Sequence, residues 1–133
     1  MNEVLDPRFF VEYFYSTDAT IRRQTDSKLR LLIKQNRGIL PTIVISELVK
    51  LTCERKGKEV AQLRYLSLVR SGLRVADLTA DVAEKAGLLK CVHKNLPYGD
   101  CIIAATTLLS HAKIITDDPH FSAVNNITCA WLT

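Results

Sequence analysis

Short apolar runs recur along this chain, and each is followed by a segment with helical spacing. Glu3-Val4-Leu5, Gly38-Ile39-Leu40-Pro41, Leu73 to Leu78, Lys113-Ile114-Ile115-Thr116 and Ile127 to Leu132 read as strands. They are too short for helices and are bounded by turn residues. The first helix runs through Phe9, Phe10, Tyr13 and Phe14, and the second covers Ala19 to Asn36. A third opens at Thr42 and carries Val44, Leu48 and Leu51, and a fourth covers Lys58 to Ser71. The last two start at Thr79 and Pro97 and run to about Lys94 and His111. Such alternation implies an α/β fold of three layers, α/β/α, with a central parallel sheet and helices on both faces.

Local punctuation supports these boundaries. Asp6 is a suitable N-cap, and Pro7 suits the first helical position, where its missing N–H had no partner. Ser16-Thr17-Asp18 caps the second helix, and Gly38 is expected in the left-handed position beyond its end. Gly57 and Gly72 close the third and fourth helices.

The chain has 133 residues, 47% of them apolar and 24% charged, so one domain spanning residues 1–133 is expected. That length encloses a core without disulfides. Cys53, Cys91, Cys101 and Cys129 form no C-x-x-C pair and read as buried core thiols. His93, His111 and His120 show no zinc spacing. No apolar run is long enough to span a membrane, and MNEVLDPRFF lacks a basic leader, so the expected location is cytoplasmic. A net charge of +4 accords with a nucleic-acid partner. No Gly-rich nucleotide loop and no Ser-His-Asp or Cys-His nucleophile is evident.

In parallel sheets the ligand site lies beyond the carboxyl ends of the strands. Four acids meet that condition: Asp6 after the first strand, Glu47 in the helix after the second, Asp100 in the opening turn of the sixth helix, and Asp118 after the fourth strand. Each also has a plainer role. Asp6 is a cap, Asp100 favours the positive end of its helix, Asp118 before Pro119 suits a turn, and Glu47 suits a solvated helix face. Glu47 and Asp100 adjoin strongly apolar segments, where a carboxylate is costly unless paired or metal-bound. A carboxylate cluster needs a counter-charge, and hard oxygen ligands suit Mg²⁺ or Mn²⁺.

The residues carry a specific resemblance. Val4-Leu5-Asp6, Ser46-Glu47-Leu48, Tyr98-Gly99-Asp100-Cys101-Ile102-Ile103-Ala104-Ala105-Thr106 and Ile115-Thr116-Asp117-Asp118-Pro119-His120-Phe121 resemble a PIN-domain ribonuclease, of the small prokaryotic VapC-like kind. The third and fourth segments resemble the family's G-D-x-x-I-A-A and T-x-D-x-x-F patterns. The resemblance implies a PIN-like nuclease domain that hydrolyses RNA phosphodiester bonds with Mg²⁺ or Mn²⁺. It implies that Asp6, Glu47, Asp100 and Asp118 are catalytic and bind the metal, and that Thr116 supports them through its hydroxyl. The T-x-D register selects Asp118 and leaves Asp117 solvated. Many relatives place a small hydroxylated pair after the first Asp, where this chain has Pro7-Arg8. Arg8 is the candidate to compensate by contacting a substrate phosphate.

The resemblance further implies a homodimer, and an antitoxin partner if the chain is the toxin of a toxin–antitoxin pair. The aromatic run Phe9, Phe10, Tyr13, Phe14 and Tyr15 is rich for one helix face, either as core or as partner surface. Arg22, Arg23, Lys28, Arg30, Lys34, Arg37, Arg55, Lys56 and Lys58 are mainly solvated charges, with a subset available to steer RNA. The alternative reading is a non-catalytic PIN-fold module binding RNA or protein. A receiver-like signalling domain shares the alternation but calls for paired acids after the first strand, which Asp6-Pro7 does not supply.

Overall fold

In the computed structural model, which describes residues 1–132, strands and helices alternate as expected. The strands are β1 (Glu3–Leu5), β2 (Gly38–Pro41), β3 (Arg74–Ala76), β4 (Lys113–Ile115) and β5 (Cys129–Ala130). The helices are α1 (Pro7–Tyr15), α2 (Ala19–Lys34), α3 (Thr42–Lys56), α4 (Lys58–Val69), α5 (Ala80–Val92) and α6 (Tyr98–Leu109), with a 3-10 turn over Pro119–Ala123. All pairings are parallel, and the sheet order is β3-β2-β1-β4-β5. The α/β/α arrangement with helices on both faces therefore holds.

That order has a consequence for function. The chain winds outward from β1 through β2 to β3, then returns to place β4 on the other side of β1. The winding direction reverses between β1 and β4, which opens a crevice beyond their carboxyl ends. The register Leu5↔Ile115 ends both strands level, so Asp6 and Thr116 emerge side by side.

β1, β2 and β4 are the most deeply buried strands. Val4, Leu5, Leu40, Ile114 and Ile115 are fully buried, with Phe9, Leu32, Val44 and Ile103 among the helix residues packed on them. A second cluster of Val82, Ala86, Leu96, Cys101, Ala105 and Val124 joins α5 to α6. Each buried Leu, Ile or Phe contributes roughly 1.5–3 kcal/mol from removal of apolar surface.

Several boundaries differ from the sequence reading. β5 has only two residues, because Ile127, Thr128, Trp131 and Leu132 are not paired as strand. The left-handed residue after α2 is Asn36 (φ 53°), not Gly38. Gly38 lies in β2, where a Cβ would collide with Leu73 Cδ2 and stand 3.3 Å from Leu32 Cβ. Close approach of a helix and a neighbouring segment, not backbone freedom, requires glycine there. Only Cys101 is buried, while Cys53, Cys91 and Cys129 are exposed. Apolar neighbours in sequence are a poor guide here, since adjacent residues of α3, α5 and β5 face different directions.

Phe9 and Phe10 enter the core, whereas Tyr13, Phe14 and Tyr15 are half-buried. Arg64 lies over the Phe14 ring at 3.6 Å and Arg55 over the Tyr15 ring at 4.5 Å, so guanidinium planes cover part of this run. Lys28 and Arg37 stand apart from the mainly solvated basic residues. Lys28 Nζ lies 2.6 Å from Glu3 Oε1, and Arg37 bonds Glu3 Oε2, both at the amino end of β1.

Candidate functional site

Asp6 leaves β1 at the centre of the sheet's carboxyl edge. Its backbone has the extended geometry of an N-cap (φ −78°, ψ 155°), but its side chain makes no capping bond to α1. Pro7 has already removed one of the amides a cap would satisfy. The Thr116 hydroxyl instead donates to Asp6 Oδ2 at 2.7 Å. The same Thr116 oxygen accepts from the Asp118 backbone amide at 3.0 Å. One hydroxyl thereby joins the end of β1 to the loop after β4.

Asp118 does act as a turn residue. Its Oδ1 accepts from the His120 amide at 2.9 Å and lies 2.9 Å from His120 Nδ1, which closes the 3-10 turn. That turn folds His120 back toward the acids. Ligating atoms of Asp100, Asp118 and His120 all lie within 4.8 Å of one another. Asp100 is half-buried in the first turn of α6, followed by the buried residues Cys101, Ile103, Ala104 and Ala105.

Glu47 reaches the site from α3. A Cβ placed on Gly99 would stand 2.5 Å from Glu47 Oε1, so the carboxylate lies against the backbone of α6 just before Asp100. Glycine at that position leaves room for the acid. The four acids thus come from four different segments and converge on the crevice between β1 and β4.

Electrostatics reflect this convergence. Burial pushes Asp6 up to about 7, and the charges of Asp100, Asp118 and Glu47 add to it against the opposing Thr116 hydrogen bond. Burial raises Glu47, with Asp100 adding and Lys50 opposing. Burial likewise raises Asp100, with Asp118 adding and His120 opposing. Among the described residues, no lysine or arginine forms an ion pair with any of the four. Carboxylates so placed hold protons or an external cation.

The donor set fits a divalent ion. Carboxylate oxygens are hard ligands suited to Mg²⁺ or Mn²⁺, and His120 adds one nitrogen, which Mn²⁺ tolerates better than Mg²⁺. Arg8 stands at the rim, its guanidinium bonded to both oxygens of Asp117. Asp117 is therefore ion-paired, not simply solvated, and Arg8 holds its carboxyl below the usual range. The Arg8 side chain remains 57% exposed.

Asp6, Glu47, Asp100, Asp118 and Thr116 are thus brought together, with Arg8 beside them. Sequence reading overlooked His120 and Gly99. The signal for His120 is its place two residues after Asp118, since an Asp opening a turn bonds the amide of that residue.

The sequence matches a model of the PIN domain family over residues 4–127. No curated protein matches it in a sequence comparison. Among solved structures, the chain is similar to VapBC2 from Rickettsia felis bound to a DNA fragment from its promoter. Identity is 22% and the TM-score 0.78, covering 98% of each chain. It is similar to a toxin–antitoxin complex from Klebsiella pneumoniae, at 18% identity and TM-score 0.69 over 96% of each chain. It also resembles VapC20 from Mycobacterium tuberculosis, a sarcin-ricin loop cleaving toxin. There identity is 21% and the TM-score 0.72, covering 93% of this chain and 95% of that one. At these identities the shared property is the fold.

Proposed function

The chain belongs to the PIN domain family, and from that premise we propose that it is a metal-dependent ribonuclease and the toxin of a toxin–antitoxin pair. It acts as a single nuclease domain over residues 1–133 in the cytoplasm. The observation that carries this reading is the meeting of Asp6, Glu47, Asp100 and Asp118 at one crevice, with no lysine or arginine ion-paired to any of them among the described residues. RNA is the favoured substrate because one structural neighbour is a sarcin-ricin loop cleaving toxin. The toxin role is supported by the toxin–antitoxin complex that shares the fold.

Asp6 and Asp100 are the principal metal ligands, and Asp118 and Glu47 complete the site. When bound, Mg²⁺ or Mn²⁺ would acidify a water and offset charge on the phosphoryl group being transferred. Thr116 holds Asp6 Oδ2 through its hydroxyl and so fixes the orientation of the carboxylate. His120 steadies Asp118 from the amide and from the ring. Arg8, exposed at the rim, meets a phosphate of the RNA backbone, and Asp117 holds its side chain there. The half-buried Tyr13 and Phe14 line an apolar groove of about 540 Å³, which none of the four acids lines and which suits an antitoxin or a second copy of the chain.

A cleavage assay on RNA with Mn²⁺, against an EDTA control, tests the reading. Asp100→Asn is expected to abolish metal-dependent cleavage while the protein stays folded. Unchanged turnover in that variant overturns the residue assignment. Intact RNA with wild type, in Mg²⁺ and in Mn²⁺, favours a non-catalytic binding module instead.

A further inference from the structure

We infer that the hollow beside His120 seats one unstacked nucleotide of the RNA strand, next to the phosphate being cut. This rests on the nuclease reading above. The hollow measures about 400 Å³ and lies between the loop joining α5 to α6 and the 3-10 turn after β4. That volume falls within the roughly 300–1,000 Å³ of pockets that enclose small ligands.

Continuity places the nucleotide. His120 lines the hollow, and its ring nitrogen lies within 4.8 Å of carboxylate oxygens of Asp100 and Asp118. An RNA strand with a phosphate at the acids therefore has its adjoining nucleotide at the hollow. The larger groove between α1, α2 and α4 has no such link, since neither His120 nor any of the four acids lines it.

The lining suits a nucleobase. His93 and His120 supply flat rings on which a base stacks, and Leu96 is a buried apolar wall. Asn95 is exposed and carries both a donor and an acceptor for a base edge. Lys94, also exposed, adds positive charge for a phosphate, offsetting the repulsion of a polyanion by the acids.

The site is also built in advance. The His93 amide donates to the Leu89 carbonyl at 2.7 Å, and the Leu96 amide donates to the His93 carbonyl at 3.0 Å. Lys90 Nζ donates to the carbonyls of Lys94 and Leu96, each at 2.8 Å. The Cys101 thiol donates to the Leu96 carbonyl at 3.7 Å. With residues 93–96 held in this way, binding does not have to order a loop first.

Two measurements on the full chain test the inference. In the first, a single-stranded RNA library with randomised positions is cleaved in Mn²⁺ and the product ends are sequenced. Wild type should show a base preference at one position beside the cut. Asn95→Ala should lower that preference roughly tenfold, the loss of a paired base edge. Lys94→Ala should raise KM for all sequences alike and keep the preference. Cleavage without any preference, or with the wild-type preference kept in Asn95→Ala, overturns the nucleotide site and leaves the nuclease reading standing.

The second measurement needs no cleavage. The protein in EDTA is titrated with each of the four nucleoside 5′-monophosphates and followed by NMR. Signals of the Asn95 side-chain amide and the His93 ring should shift with at least one of them, and Asn95→Ala should weaken that binding. Shifts in a protein that cuts no RNA sink the nuclease reading while supporting the pocket. Absence of shifts at these residues with all four nucleotides overturns the pocket.

Discussion

Glu3 and Asp6 are buried carboxylates at opposite ends of β1, 1% and 2% exposed. Burial alone would raise both. At Glu3 the hydrogen bonds from Lys28 and Arg37 outweigh burial, and the carboxyl sits below its ordinary range. At Asp6, among the described residues, the only direct side-chain partner is a neutral hydroxyl, three more acids lie nearby, and the carboxyl is pushed up to about 7. The two ends of one strand thus solve the same desolvation problem in different ways. The protein supplies its own cations at one end and leaves the other open to a cation from solution.

The largest effect that separates the two ends is on activity. On the proposed assignment of Asp6 as a principal ligand, Asp6→Asn should lower metal-dependent RNA cleavage by about 10³-fold or more. The same substitution should leave the metal-free protein at least as stable as wild type at pH 8, since the charge it removes is buried and unpaired. A fall in EDTA melting temperature would break the comparison.

Acid–base linkage gives the next effect. Asp6 has a raised folded pKa, so its stabilising contribution is full below its unfolded value near 3.8 and is lost as pH rises through about 7. The loss is on the order of 4 kcal/mol, at about 1.4 kcal/mol per pKa unit. Glu3 works in the opposite sense. Its lowered pKa contributes stability above its unfolded value of 4.5, and that stability is lost as pH falls below it. Thermal melts in EDTA should therefore peak near pH 5. Saturating Mn²⁺ should restore roughly 3 kcal/mol at pH 8, as expected for about 100-fold excess over Kd. A melting temperature independent of pH between 5 and 8 would remove Asp6 as the distinguishing group.

Smaller still is the cost of removing the charge at the other end. Glu3→Gln leaves Lys28 and Arg37 without their shared partner, but both are partly exposed and regain water. Urea unfolding should show a loss of about 2 kcal/mol, with kcat per folded molecule unchanged. The smallest change in folding should come from Gly99→Ala. The new methyl meets the mobile end of Glu47, which can swing aside, so stability should stay within about 0.5 kcal/mol. Displacing that carboxylate should cost roughly tenfold in cleavage. Full activity in this variant would place Glu47 outside the working site.

The sequence reading succeeded where structure is local. β1 and β2 follow directly from their apolar runs and bounding turns, and Asp18 caps α2 by accepting from the Thr20 and Ile21 amides. The placement of the acids beyond strand ends needed only the alternation and the behaviour of parallel sheets. What escaped was decided through space. Nothing in the chain around Glu3 announces that Lys28 and Arg37 will pair with it. Gly38 was read as a helix terminator because its contact with Leu73 is a property of the assembled sheet and helix. His120 reaches the acids only because a 3-10 turn reverses the chain after Asp118.

Thr116 carries a mechanical consequence. A single oxygen atom is shared between the Asp6 carboxylate and the Asp118 amide, so the gap between those acids is gauged by the lateral pairing of β1 with β4. Loops elsewhere can lengthen or shorten without resetting that gauge. Slippage of β4 by one residue, in contrast, would turn Thr116 to the opposite side of the sheet and uncouple the two acids together.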